Sequence, residues 1–126
     1  MRVAIWLCGL ALPATLWAGE SLVLPQAALG RWSPTLEQCA VPFGESRGGI
    51  STEDNMNLTP EEIEFWESAG QYRVMNIEDR TFALLLRMTG EGQSWTEHQV
   101  LVLSEDGQQL TRRSGSIEVD YLRCGE

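Results

Sequence analysis

Gly44-Glu45-Ser46-Arg47-Gly48 and a single histidine, His98, are all that this chain of 126 residues offers toward nucleophilic hydrolysis. A nucleophile elbow holds its serine on a sharp turn between a strand and a helix. A histidine backed by a carboxylate, here Asp54 or Asp79, would then take the proton. The flanking residues do not build that turn, because Pro42 precedes Ser46 and Gly48-Gly49 follows it. Ser46 therefore reads as a turn serine. With one histidine, a zinc site would fall short of its usual donor set. Glu53-Asp54-Asn55 with Asn57 carries oxygen donors but lacks the spacing and turn glycine of a calcium loop. Glu67 and Glu91 are two carboxylates of the kind that glycoside hydrolysis uses, yet nothing in the sequence sets their separation. No acid, base, nucleophile and oxyanion donors assemble into one set, so the expectation is a protein without catalytic residues, metal or cofactor.

The cysteines carry a clearer message. Met1-Arg2, the apolar run Val3 to Leu12 and the small-residue site before Gly19 have the form of a Sec-type signal peptide over 1–18. Cys8 would leave with it, and Leu7 before Cys8 is too bulky for a lipoprotein signal. Two cysteines remain, Cys39 and Cys124, in an oxidising compartment where one disulfide is the expected outcome. That bond would close a loop of about 86 residues. Loop-closure entropy alone assigns it roughly 4.5 kcal/mol. There is no Cys-x-x-Cys spacing, so the bond reads as structural.

The chain has 18 acidic and 9 basic residues and a formal charge of −9, which falls one unit further when Arg2 is removed. Every basic residue is arginine, and Arg112-Arg113 is the only adjacent pair. Such a surface repels phosphate backbones, so neither nucleic acid nor an anionic membrane is an expected partner. Asn57-Leu58-Thr59 is a glycosylation sequon with meaning only in a eukaryotic host.

The elements that must position all these residues read as strands. Residues 19–28 form an apolar N-terminal arm, and 29–126 a single domain that opens on Leu29-Gly30-Arg31-Trp32-Ser33. The segment around Cys39 is mostly loop, with a short strand starting at Ile50. Strand-length segments follow over 63–67, 72–77, 81–88, 95–103, 109–113 and 117–124, separated by turn residues at meander spacing. Asp106-Gly107 predicts a type I′ hairpin. Thr59-Pro60-Glu61-Glu62 has the form of a helix start, but the β-branched and aromatic residues of 63–68 favour strand over a short helix. A run of antiparallel strands removes its edges by closing, which predicts an all-β antiparallel barrel. On the 63–68 strand, Trp66 faces away from Ile63 and Phe65, while Trp95 shares a face with Leu101 and Leu103. Trp66, Glu67 and Trp95 are therefore the candidate binding surface.

Gly30-Arg31-Trp32 in the first strand, with Arg123 in the last, resembles the signature of lipocalins and related calycin barrels. The resemblance implies that Trp32 closes one barrel end and Arg123 lies across its ring, a cation–π contact worth about 0.5–2 kcal/mol. Gly30-x-Trp32-Ser33, Cys39, 63–68, 90–95, Leu110-Thr111-Arg112-Arg113 and Tyr121-Leu122-Arg123-Cys124 also resemble an uncharacterised family of small exported alphaproteobacterial proteins. That second resemblance implies a periplasmic location and the disulfide, and no activity.

Two classes of function follow from a barrel without catalytic residues. One is a monomeric envelope protein that binds another protein, similar to small periplasmic protease inhibitors that insert an N-terminal arm into the protease cleft. The other is a carrier of a small apolar ligand in the barrel interior. Phe82, Leu84, Leu86 and Met88 share one strand face, and if they point inward little room remains for a ligand.

Overall fold

Alternation of apolar and polar side chains from Met56 to Arg123 gives each strand one face for a core and one for solvent. The computed structural model describes residues 22–125. The expected signal peptide over 1–18 and the first residues of the arm lie outside the described residues. The strands are β1 Gly30–Ser33, β2 Ser46–Arg47, β3 Ile50–Ser51, β4 Met56–Leu58, β5 Glu62–Glu64, β6 Ser68–Glu78, β7 Thr81–Gly90, β8 Gln93–Leu103, β9 Gln109–Ser114 and β10 Ile117–Arg123, with one short helix, α1 Leu36–Cys39. β4 to β10 follow one another as antiparallel neighbours, and β1 joins both ends of the series, so eight strands close into a barrel. In the closing register Trp32 lies opposite Met56 on β4 and opposite Arg123 on β10.

The inward face is apolar. Phe82, Leu84, Leu86 and Met88 all point inward and are buried, packed with Leu58, Leu101, Leu103, Leu110 and Tyr121. Side chains thus occupy the interior of the barrel. Tyr72 also reaches into this layer and donates its hydroxyl to the Thr59 carbonyl at 2.7 Å. Burial, then the Glu61 charge, push its pKa up to about 12.

The loop around Cys39 is more ordered than the sequence indicates. α1 is capped by Thr35, whose hydroxyl accepts from the Gln38 N–H, and β2 pairs with β3 in a small separate hairpin. This excursion covers the outer side of β1. Arg31 donates to Asn55 Oδ1 and to the Gln38 carbonyl, both at 2.8 Å, and buried Asn55 donates to Ser33 Oγ and Gln38 Oε1. The disulfide Cys39–Cys124 fastens α1 to the residue after β10, with the two Cα atoms 5.3 Å apart. The Cys124 N–H donates to the Arg31 carbonyl at 3.0 Å beside it.

Two expectations are corrected, and the choice of strand over helix after Thr59 is settled. The strand over 63–68 is only β5, and Trp66 lies in the turn that follows, where the Phe65 N–H donates to the Ser68 carbonyl at 2.8 Å. Trp66 therefore has no strand face. Nor is there a helix at Thr59. Its hydroxyl accepts from the Glu62 N–H at 3.0 Å and its own N–H donates to the Glu62 carbonyl, so the capping chemistry closes a hairpin turn around Pro60-Glu61. The turn with two consecutive positive φ angles, as type I′ requires, is Glu91-Gly92, at 50° and 78°. At the expected position only Gly107 has positive φ, in the loop over 104–108 where Asp106 accepts from the Ser104 hydroxyl and the Gln108 N–H.

Candidate functional site

The barrel has two unlike ends. At one end lie the arm, the 59–62 and 78–81 turns and the 104–108 loop. The other, the mouth, carries the turns around 65–68, 90–93 and 114–117.

The arm end is sealed. Trp32 is fully buried and donates its indole N–H to the Ala28 carbonyl at 3.0 Å. The Arg123 guanidinium lies 4.3 Å from the centre of the Trp32 ring. It donates to the carbonyls of Ala27, Leu29 and Gly107, tying the arm, β1 and the 104–108 loop to β10. Burial lowers its pKa. Gly30 has φ 112°, and a Cβ there would stand 3.3 Å from Arg123 Nη1. Glycine at this place thus provides both the backbone angle and the room that the arginine needs. The ring contact expected of Gly30, Trp32 and Arg123 is present.

The same contacts correct the picture of a free arm over 19–28. Leu24 and Ala28 are buried in the core and anchor residues 24–28 to the barrel's seal, with Pro25 to Ala27 exposed between them, and Leu22 and Val23 lie exposed before the first anchor. Where the arm passes the barrel rim it leaves a groove of about 500 Å³, walled by Val23, Pro25, Ala27, Ile77, Phe82 and Leu103. Asp79, Arg80, Glu105 and Asp106 form its rim. Val23 is 69% exposed there, a large aliphatic side chain in water beside an apolar wall. The sequence did not reveal this groove, because its wall comes from three segments far apart in the chain. The exposed Leu22-Val23 pair was the one local signal.

At the mouth, Glu67 and Trp95 do meet, on an open cleft of about 320 Å³ with Ser68, Gly90, Glu91 and Gln93. Trp66 does not line it. Trp95 is 38% exposed, and its indole N–H is held by Glu97 Oε1 at 2.7 Å. Glu97 also accepts from Gln99 and from Ser114. Below it, Arg112 donates to the Tyr121 hydroxyl at 2.9 Å and lies 4.8 Å from the Phe65 ring. The interior thus turns polar toward the mouth, where these groups bond to one another except for the buried Gln99 Oε1, which has no partner among the described residues.

Glu97 supplies a test of that cluster. Burial works to raise its pKa, but hydrogen bonds from Gln99, Trp95 and Ser114 and the Arg112 charge outweigh it, so the value falls below the ordinary 4.5. A depressed carboxylate stabilises the fold above 4.5, and that contribution disappears as the pH falls through the lowered value. Glu97→Gln is expected to flatten the acid-side loss of the urea midpoint below pH 4.5. Parallel wild-type and variant curves would show the cluster to be energetically idle.

The residues considered for catalysis are dispersed. Ser46 is exposed on β2 and pairs with Ser51, whereas His98 points outward from β8 opposite Leu85. Glu91 occupies a turn, and Asp79 pairs with Arg80 at 3.5 Å. Among the described residues, no three His, Cys, Asp or Glu side chains converge as metal ligands would, and no helix is long and apolar enough to cross a membrane. No family model, no curated protein and no solved structure matches the chain.

Proposed function

We propose that this chain is a non-enzymatic binding protein of the periplasm that engages a protein partner at the groove beside the arm. The observation that carries the reading is the filled interior combined with an apolar groove of about 500 Å³ on the outside. A carrier needs an internal space of several hundred Å³ to enclose its ligand, whereas the inward faces here are packed against one another. A groove rimmed by charge and walled by aliphatic side chains suits one or two apolar side chains of a partner. The mouth cleft is the weaker site, because Trp95 is already committed to Glu97.

Among the described arm residues, Leu22 and Val23 precede the buried Leu24 and are the ones available for insertion into a partner's cleft. The disulfide fits an oxidising compartment.

Photo-crosslinking in the native host tests the reading. A photoreactive residue at Val23 or Glu105 is expected to give one discrete protein adduct, absent when the same residue stands at Ser116 at the mouth. The mature protein should be recovered from the periplasmic fraction beginning at Gly19. Equal adducts at both ends, or lipid co-purifying in native mass spectra, would overturn it.

A further inference from the structure

The wall formed by β6, β7 and β8 breaks the chain's charge pattern. Between Ala69 and Asn76 on β6, Ala83 and Thr89 on β7, and Ser94 and Val100 on β8, no outward position carries a carboxylate, since Glu97 points inward. This is the longest stretch of sheet in a protein with 18 acidic residues. What the wall does carry is Arg73 and Arg87. The register sets Arg73 opposite Leu85 and Arg87 opposite Gln71, so the two arginines are diagonal neighbours on one face. Arg47, Arg80 and Arg113 make the ion pairs found among the described residues, and Arg73 and Arg87 make none. Between them runs a cleft of about 420 Å³ lined by Gln71, Leu85 and Thr96 as well as the arginines.

We infer that this wall is a docking surface for an extended, acidic segment of a partner protein, bearing carboxylates at alternate positions. Diagonal neighbours on a sheet stand about 7–8 Å apart. Alternate residues of an extended chain, pointing the same way, repeat every 6.6–6.8 Å or so. Carboxylates two residues apart therefore meet both guanidinium groups at once, and the side chain of Leu85 lies between them for an apolar contact. Arginine binds each carboxylate through two parallel N–H donors, which favours this pairing over a diffuse attraction. The width of the wall decides between anionic partners. A duplex or a membrane would press the neighbouring acidic faces against phosphate, while a single extended segment over β6 to β8 meets the carboxylate-free strip and is bordered only by Glu62, which lies opposite Gln71 on β5. Screening over about 10 Å at 0.1 M salt keeps the remaining negative charge from cancelling the contact. This surface is separate from the groove beside the arm and does not depend on it.

The test is fluorescence anisotropy with the mature chain and a labelled peptide of alternating aspartate and serine, at about 50 mM salt. Binding is expected, falling at least tenfold in Arg73→Glu/Arg87→Glu and less than twofold in Arg47→Glu/Arg113→Glu, which carries the same change of charge. Arg73→Gln/Arg87→Gln gives the same direction should the reversal disturb folding, which circular dichroism reads separately. A peptide of the same composition with its aspartates in one block is expected to bind more weakly. The inference is overturned if the alternating peptide does not bind, if both double variants lose equally, if the block peptide binds as well, or if phosphatidylglycerol vesicles or inorganic phosphate compete it off through Arg73 and Arg87.

Discussion

Replacing Cys39 and Cys124 together by serine is expected to lower the stability of the oxidised protein by about 4 kcal/mol, with a fall in Tm of roughly 20 °C. The size follows from the sequence separation of 85 that the bond spans. A crosslink over so long a loop removes much of the freedom of the unfolded chain, and total stabilities of such domains are only about 5–15 kcal/mol. Position adds to it. The bond joins the excursion over 34–55 to the tail beyond β10, on the outer side of β1, where the Arg31, Asn55 and Gln38 contacts hold the same surfaces together. Those hydrogen bonds alone contribute about 1 kcal/mol each, so the excursion should loosen first when the bond is lost. Urea midpoints of the oxidised chain, the reduced chain and the double variant would measure it. Coincident melting of oxidised and reduced protein would contradict the expectation.

Trp32→Ala is expected to cost about 4 kcal/mol, near the top of the range for a buried aromatic side chain. The ring is fully buried and fills the sealed end. Its removal strands two groups besides leaving a void. The Ala28 carbonyl loses its indole donor, and Arg123 loses the aromatic face at 4.3 Å. Trp32→Phe keeps the ring and loses the hydrogen bond and some contact area, so about 1–2 kcal/mol is expected for it. The alanine variant should also release the arm, because Leu24 and Ala28 pack against the same layer. Limited proteolysis reads this directly: cleavage before Trp32 is expected in Trp32→Ala and not in the wild type. Equal stability of the alanine and phenylalanine variants would show that the ring does not hold the arm.

Features fixed by a single chemical cause were legible in the sequence. With Cys8 assigned to the expected signal peptide, Cys39 and Cys124 had one another as partners, and the contact between Trp32 and Arg123 was implied by the calycin resemblance. The long strands followed from alternation kept up over ten residues or so. Short elements were not legible. β4, Met56–Leu58, is three residues long and offers too few alternations to be recognised. The run Ile63 to Ser68 reads as strand by composition, yet a tight turn cuts it after Glu64, and only the closing register demands that turn. The arm read as free because nothing local tells that Leu24 and Ala28 are core. Of the candidate residues Trp66, Glu67 and Trp95, the structure brings two together. Glu67 and Trp95 share a cleft, whereas Trp66 was assigned to a strand that ends before it.

β1 has a consequence for how this chain comes into being. Its four residues are near the beginning of the described sequence, and they pair with β10, near its end. During synthesis an N-terminus-first chain must therefore keep Gly30 to Ser33 without that neighbour until Ile117 to Arg123 has emerged. Contacts of such long sequence separation form late and slowly. Ring closure then waits on β10, and a chain stalled before Ile117 would leave two raw sheet edges open to chaperones, to proteases or to other unfinished copies.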